Sequence, residues 1–203
     1  MLSIYPICGI DEAGRGALAG PLVAAAVTLT QKVEQNILRA KLKIRDGKLL
    51  RSRERQQVYR QIIKLGAMVE TEIISARKIN NRGIARANCE SIRNLIKLIE
   101  ADTYVVDGNL KLGRINGKTH KVKCRVDADA TYLPTILAGI VAKVERDKLM
   151  KQLHQKFPKY KWINNVGYGT RKHIEAIQQY GTTHYHRSIF VTTALRNNTL
   201  STE

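Results

Sequence analysis

The sequence predicts an α/β fold, and three observations carry that expectation. Short apolar runs rich in Val, Ile, Thr and Ala alternate with longer segments whose apolar residues recur at the helical period. Acidic residues, scarce in this chain, stand where several of the apolar runs end. At 203 residues the chain is long enough for one sizeable core, and it contains no low-complexity stretch or internal repeat.

Residues 4–10 (Ile-Tyr-Pro-Ile-Cys-Gly-Ile) read as a first strand that ends at Asp11 and Glu12 and delivers them to the edge of a sheet. Pro6 argues against a central position for its beginning. A glycine-rich connection leads to residues 21–30, whose Val, Ala and Thr content predicts a second strand pairing with the first. Residues 53–65 predict a helix and 67–75 a third strand. Over 84–100, Ala85, Cys89, Ile92, Ile96 and Ile99 share one face of a helix, which should be buried.

Residues 103–106 are a compact β-branched strand running into Asp107 and Gly108. Residues 118–126 alternate basic and apolar side chains before Asp127 and Asp129. Ile136, Ile140 and Val144 place a helix after Pro134, a residue tolerated in a first turn, with a polar continuation to about Gln155. Residues 171–179 form a last helix, and 197–203 are a polar, frayed tail.

The net charge of +18 raises the local concentration of polyanions, which makes nucleic acid the leading partner. Between Lys32 and Lys64 stand eleven basic residues and three acidic ones, a segment expected to lie along a phosphate backbone; the alternative is a merely solvated basic surface. Cys8, Cys89 and Cys124 are widely separated and odd in number, which argues against zinc and a disulfide framework. No uncharged apolar segment approaches the roughly 20 residues that span a bilayer, so no membrane association and a cytoplasmic location are expected.

Hard cations such as Mg2+ or Mn2+ need oxygen ligands, and Asp11, Glu12, Asp107 and Asp129 offer them at strand ends. Grouped like charges are unfavourable without a compensating cation. Two ions about 4 Å apart can activate water and stabilise a leaving oxygen in phosphoryl displacement, which is nuclease chemistry. Asp127 competes with Asp129 for the last position, and any one of these aspartates taken alone reads equally as a turn or cap residue.

Gly9-Ile10-Asp11-Glu12-Ala13-Gly14-Arg15-Gly16, followed by Ala19-Gly20-Pro21-Leu22, resembles the opening signature of the ribonuclease HII family. Asp107-Gly108-Asn109, Ala142-Lys143-Val144-Glu145-Arg146-Asp147, Gly167-Tyr168-Gly169-Thr170 with His173, and His186-Arg187 follow in the family's order, so the resemblance covers nearly the whole chain. It implies a ribonuclease-H-like fold, a mixed central sheet flanked by helices, with a single catalytic domain over 1–203 and a helical C-terminal extension over about 145–196. It also implies an endonuclease that hydrolyses RNA in RNA–DNA hybrids and incises duplex DNA at embedded ribonucleotides, leaving 5′-phosphate and 3′-hydroxyl ends.

By the same resemblance Asp11, Glu12, Asp107 and Asp129 are the catalytic metal ligands, for Mg2+ or Mn2+. Gly14, Arg15 and Gly16 would contact the junction nucleotides and sense the 2′-hydroxyl, the group that separates RNA from DNA. Tyr168 would pack against the following deoxyribose; without that context it reads as a buried aromatic in a glycine turn. Lys48, after Asp46-Gly47 where the family usually shows Asp-Ser-Lys, is a candidate phosphate contact or simply part of the basic face. His173 and His186 are read as orienting or structural. Gly139 replaces the serine usual in the helix after Asp129, a change expected to loosen packing without touching the metals. A monomer is expected.

Three other readings remain at this stage. A junction resolvase or strand-transferring nuclease of the same fold would also need clustered acids on a basic surface, and only Gly14-Arg15-Gly16 and Tyr168 oppose it. The sister ribonuclease HIII group usually carries an extra N-terminal domain. A non-catalytic nucleic-acid-binding protein would have no use for acids in its binding face, where each weakens phosphate contact.

Overall fold

The computed structural model describes residues 5–44, 50–115 and 117–200. Its sheet has five strands: β1 (Ile7–Ala13), β2 (Leu22–Leu29), β3 (Met68–Ile74), β4 (Thr103–Asp107) and β5 (Val122–Arg125). Their order is β3-β2-β1-β4-β5. β1 runs antiparallel to β2, from Ile7 opposite Leu29 to Ala13 opposite Val23, and parallel to β4, from Ile7 beside Thr103 to Ile10 beside Val106. β4 and β5 are parallel. The sheet is therefore mixed, and β1 lies at its centre.

The helices are α1 (Gln31–Arg39), α2 (Ser52–Lys64), α3 (Ala76–Arg82), α4 (Ile84–Leu98), α5 (Ala128–Thr131), α6 (Leu133–Lys156), α7 (Trp162–Asn165), α8 (Arg171–Tyr180) and α9 (Ser188–Leu200). By its contacts the chain divides into two units. The first comprises Met1–Ala13, Val23–Glu72 and Cys89–Val144, and the second Gly14–Leu22, Ile73–Asn88 and Glu145–Glu203.

In the first unit the pleat sorts the strand residues onto two faces. Ile7, Ala13, Ala25, Val27, Leu29 and Val105 pack with Leu137, Ala138 and Val141 of α6. Cys8, Ile10, Ala24, Ala26, Tyr104 and Val106 pack with Ile92, Leu95 and Ile96 of α4. β2 is buried along its whole length, as a strand covered on both faces must be. Outside the sheet, α1 is capped by Thr30, whose Oγ1 accepts the Val33 amide, and α2 by the Glu54 carboxylate, which accepts the Arg51 amide at 2.8 Å.

The second unit is built around Leu18, Met150, Tyr160, Trp162, Ile177 and Val191. The Asn80 side chain of α3 donates to the His186 carbonyl at 3.0 Å and accepts the Ser188 amide at 2.9 Å, which caps the start of α9.

Several expectations need correction. The first strand does not end before Asp11 but continues to Ala13, because pairing with β2 extends past the acidic pair. Ala85 is exposed, while Ala87, Asn88 and Ser91 are buried. The cause is that α4 changes partners along its length: Ala87 packs with Leu22, Ile74 and Ile79, and Ile92 onward packs on the sheet. The strand expected over 118–126 is only Val122–Arg125, after a 3-10 turn at Thr119–Lys121. Residues 197–200, expected to fray, continue α9.

Candidate active site

β1 and β4 leave their paired register at Ile10 and Val106, so Asp11 and Asp107 are the next residues of two adjacent parallel strands. Both have the parity of Val105, which points them to the face covered by α6. Asp129 approaches from a different element than the sequence suggests. It lies in the first turn of the short helix α5, and its amide donates to Asp107 Oδ1 at 3.3 Å. Asp127 is exposed, adopts a left-handed backbone (φ 58°) and precedes α5, so Asp129 is the aspartate brought to Asp107.

Asp11 is 7% exposed, and its Oδ1 accepts the Glu12 amide at 2.7 Å. Burial pushes its carboxyl up to about 8, and the neighbouring charges of Glu12, Asp107 and Asp129 push in the same direction. The other three acids thus all act on Asp11. Strand alternation turns Glu12 to the face opposite Asp11, so three aspartates share a face and Glu12 flanks them across the strand.

Among the described residues, no three His, Cys, Asp or Glu side chains already converge as a metal cage. The donor set still fits a hard divalent cation, being all carboxylate, with Asp11 desolvated and repelled by the other three. Asp11, Asp107 and Asp129, with Glu12, are the residues that could hold such an ion.

Gly139 requires a correction. It does not stand clear of these groups: a Cβ built on it would lie 2.4 Å from Asp11 Oδ2.

The second unit holds the loop from Gly14 to Pro21, pinned by two buried arginines. Arg187 Nη1 donates to the carbonyls of Gly14 (2.7 Å) and Arg15 (3.0 Å), and its Nε and Nη2 donate to that of Gly20 (3.1 and 2.9 Å). Arg146 donates from Nε to Pro21 O at 2.9 Å and from Nη2 to Ala19 O at 3.2 Å. Burial lowers the pKa of both, and the two guanidinium charges lie near enough for Arg146 to lower Arg187 further. Gly14 has φ +90°, and a Cβ there would fall 1.9 Å from Arg146 Nε, so glycine is demanded by both conformation and space. At Gly16 a Cβ would meet nothing within 4 Å, and Arg15 and Gly16 are both exposed.

Tyr168 is 41% exposed, not buried, and Arg146 lies 5.3 Å from its ring centroid. Its turn is held from beneath. Trp162 Nε1 donates to His173 Nε2 at 2.9 Å, which leaves His173 Nδ1–H to donate to the Tyr168 carbonyl at 2.9 Å. His186 Nδ1 accepts the Thr183 amide at 2.9 Å, so its Nε2–H faces His173 Nε2 at 3.3 Å. Burial, then the proximity of His173, pushes His186 down to about 4. Both histidines are thus neutral supports of the turn.

Arg146 and Arg187 are the residues that sequence reasoning left without a role. Their only signal was membership of the motif segments. Lys48, with Asp46 and Gly47, lies outside the described residues.

The description Ribonuclease HII belongs to the family profile that matches residues 8–193. A ribonuclease HII of Wolbachia sp. subsp. Brugia malayi is 41% identical over 186 residues, covering 91% of this chain and 87% of that protein. Among solved structures, ribonuclease HII of Archaeoglobus fulgidus, determined as a complex with PCNA, superposes with a TM-score of 0.77 at 24% identity, covering 90% of this chain and 94% of that one. Bst ribonuclease HIII in complex with Mn2+ superposes with a TM-score of 0.74 at 18% identity over 97% of this chain and 71% of that one. At these identities the superpositions speak for the ribonuclease-H-like fold.

Proposed function

This chain belongs to the ribonuclease HII family, metal-dependent hydrolases of the ribonuclease H type that degrade RNA in RNA–DNA hybrids, and from that premise we propose that it also incises duplex DNA at single embedded ribonucleotides. The observation that carries the catalytic part is the arrangement of Asp11, Asp107 and Asp129, which two adjacent parallel strand ends and α5 place on one face of the sheet.

Asp11, Glu12, Asp107 and Asp129 hold the divalent metal, Mg2+ or Mn2+. When bound as a pair, such ions activate water and stabilise the leaving oxygen. Hydrolysis breaks the bond between phosphorus and the 3′ oxygen, so the water oxygen stays on a 5′-phosphate and a proton completes the 3′-hydroxyl. The two strand ends and α5 would fix where these ligands stand, and with them the direction of attack. The chain's +18 charge draws in the polyanion.

Substrate discrimination belongs to the second unit. Arg15 and Gly16 are exposed, and the open space at Gly16 offers close approach to a sugar and its 2′-hydroxyl. The ring of Tyr168 offers a flat apolar surface to the next deoxyribose. Lys48 remains a proposed phosphate contact, and the two units are proposed to work as a single catalytic domain.

The test uses an end-labelled DNA duplex with one ribonucleotide, beside all-DNA and all-RNA duplexes, in Mg2+, Mn2+ or chelator, with wild type and Asp107→Asn. Metal-dependent incision beside the ribonucleotide, lost in the variant, supports the reading. Equal cutting of the all-DNA duplex would move the protein to the resolvase or general nuclease class. Tight binding without cutting in any metal would leave only a binding role.

A further inference from the structure

Gly139 is the seventh residue of α6, in a stretch where Leu137, Ala138, Ile140, Val141 and Ala142 are all fully buried. A glycine inside a helix is disfavoured relative to alanine, and nothing in the helical backbone at this position calls for one. The three heavy atoms nearest an added Cβ all belong to Asp11: Oδ2 at 2.4 Å, Cγ at 3.5 Å and Cβ at 3.9 Å. The bare patch of helix is therefore occupied by one carboxylate.

We infer that Gly139 is a positioning residue for Asp11, a side-chain-free seat on α6 that sets where this carboxylate stands and, with it, the affinity of the centre for divalent metal. The inference rests on the reading of Asp11 as a metal ligand. Any side chain at 139 forces Asp11 to rotate, and its choices are poor. The strand backbone on which it sits is paired on the β2 side throughout, and Asp107 and Asp129 repel it from the same face. Alanine displaces the carboxylate and returns nothing. Serine displaces it too, but its hydroxyl can donate to the displaced oxygen and hold it in a new place.

The experiment titrates MnCl2 calorimetrically into full-length, chelator-stripped wild type, Gly139→Ala, Gly139→Ser, Asp11→Asn and the Asp11→Asn/Gly139→Ala pair, with thermal melting of each in chelator. Gly139→Ala should bind Mn2+ at least tenfold more weakly than wild type, with a cooperative melt in chelator showing that it is folded. Gly139→Ser should retain more affinity than Gly139→Ala. In the Asp11→Asn background the alanine should weaken Mn2+ binding by no more than twofold, because the group it displaces is no longer a carboxylate. Affinity of Gly139→Ala within twofold of wild type would overturn the inference, as would equal losses with and without the Asp11 carboxylate. Should Gly139→Ala fail to fold, a Gly139→Ser protein with unchanged affinity and full activity overturns it equally. If the wild type itself binds no Mn2+, the metal reading falls first, and this inference with it.

Discussion

Truncating Arg187 to alanine isolates what the buried guanidinium does for the loop at Gly14–Gly20. The side chain is 0% exposed and makes four hydrogen bonds to three backbone carbonyls. Bonds to a charged donor contribute about 1.5–3 kcal/mol each, which would sum to roughly 6–12 kcal/mol. Removing the charge also recovers several kcal/mol of desolvation that burial costs it. The balance, including carbonyls left without donors, is a loss of about 3–5 kcal/mol. For a chain of this length that lowers the melting temperature by about 10 °C. Thermal unfolding by circular dichroism reads it directly, with hybrid cleavage measured well below the melting point. Arg187→Lys should recover only part of the loss, because an ammonium cannot span three carbonyls in the fork of a guanidinium. A fall of less than about 2 °C for Arg187→Ala would mean that water replaces the guanidinium and that the loop holds its own shape.

Gly14→Ala should cost about 2–4 kcal/mol and abolish most hybrid cleavage, since its Cβ meets Arg146 Nε at 1.9 Å in a positive-φ backbone; wild-type melting would contradict this. Gly16→Ala, with nothing within 4 Å of the new methyl, should leave stability within about 0.5 kcal/mol yet reduce cleavage, and full activity would remove Gly16 from the substrate contacts. His186 titrates near 4 in the folded protein against 6.5 unfolded, so below 6.5 the unfolded state binds more protons. Its stabilisation is complete above pH 6.5 and declines as pH falls toward 4; the slope of melting temperature over that window should flatten in His186→Asn, and an unchanged slope would assign the titration elsewhere.

What the sequence reveals here follows from how local the physics is. β2, β3 and β4 lie within a residue or two of expectation because alternation and β-branched content act over a few neighbours. The acidic pair misled: Asp11 and Glu12 are poor strand formers, yet cross-strand pairing overrides that preference through Ala13. The helices α1 and α3 escaped notice because they are short and polar and lean on caps such as Thr30 and Ser75. The helix α9, which is longer and packs through Val191, escaped because its apolar residues show no sustained helical period. At the site, the candidate ligands proposed here could be named from motif order, whereas the contact of Gly139 with Asp11 depends on how α6 crosses β1, which no spacing encodes. Arg146 and Arg187 were hidden by their charge, since only the folded chain reveals that their partners are carbonyls under the surface.

The arginine clamp also imposes an order on synthesis. Gly14 leaves the ribosome 173 residues before Arg187, the residue that fastens it. At about 5–20 residues per second that interval is roughly 10 to 35 s. β1 and β2 can pair within that time, and β4 can join them once about a hundred residues have emerged. The carboxylate-bearing strands can therefore stand ready while the neighbouring loop still awaits its last fastening. A nascent chain stalled before residue 187 would carry the acids without the fastened loop, so the discrimination proposed for that loop would come later in synthesis than the acids.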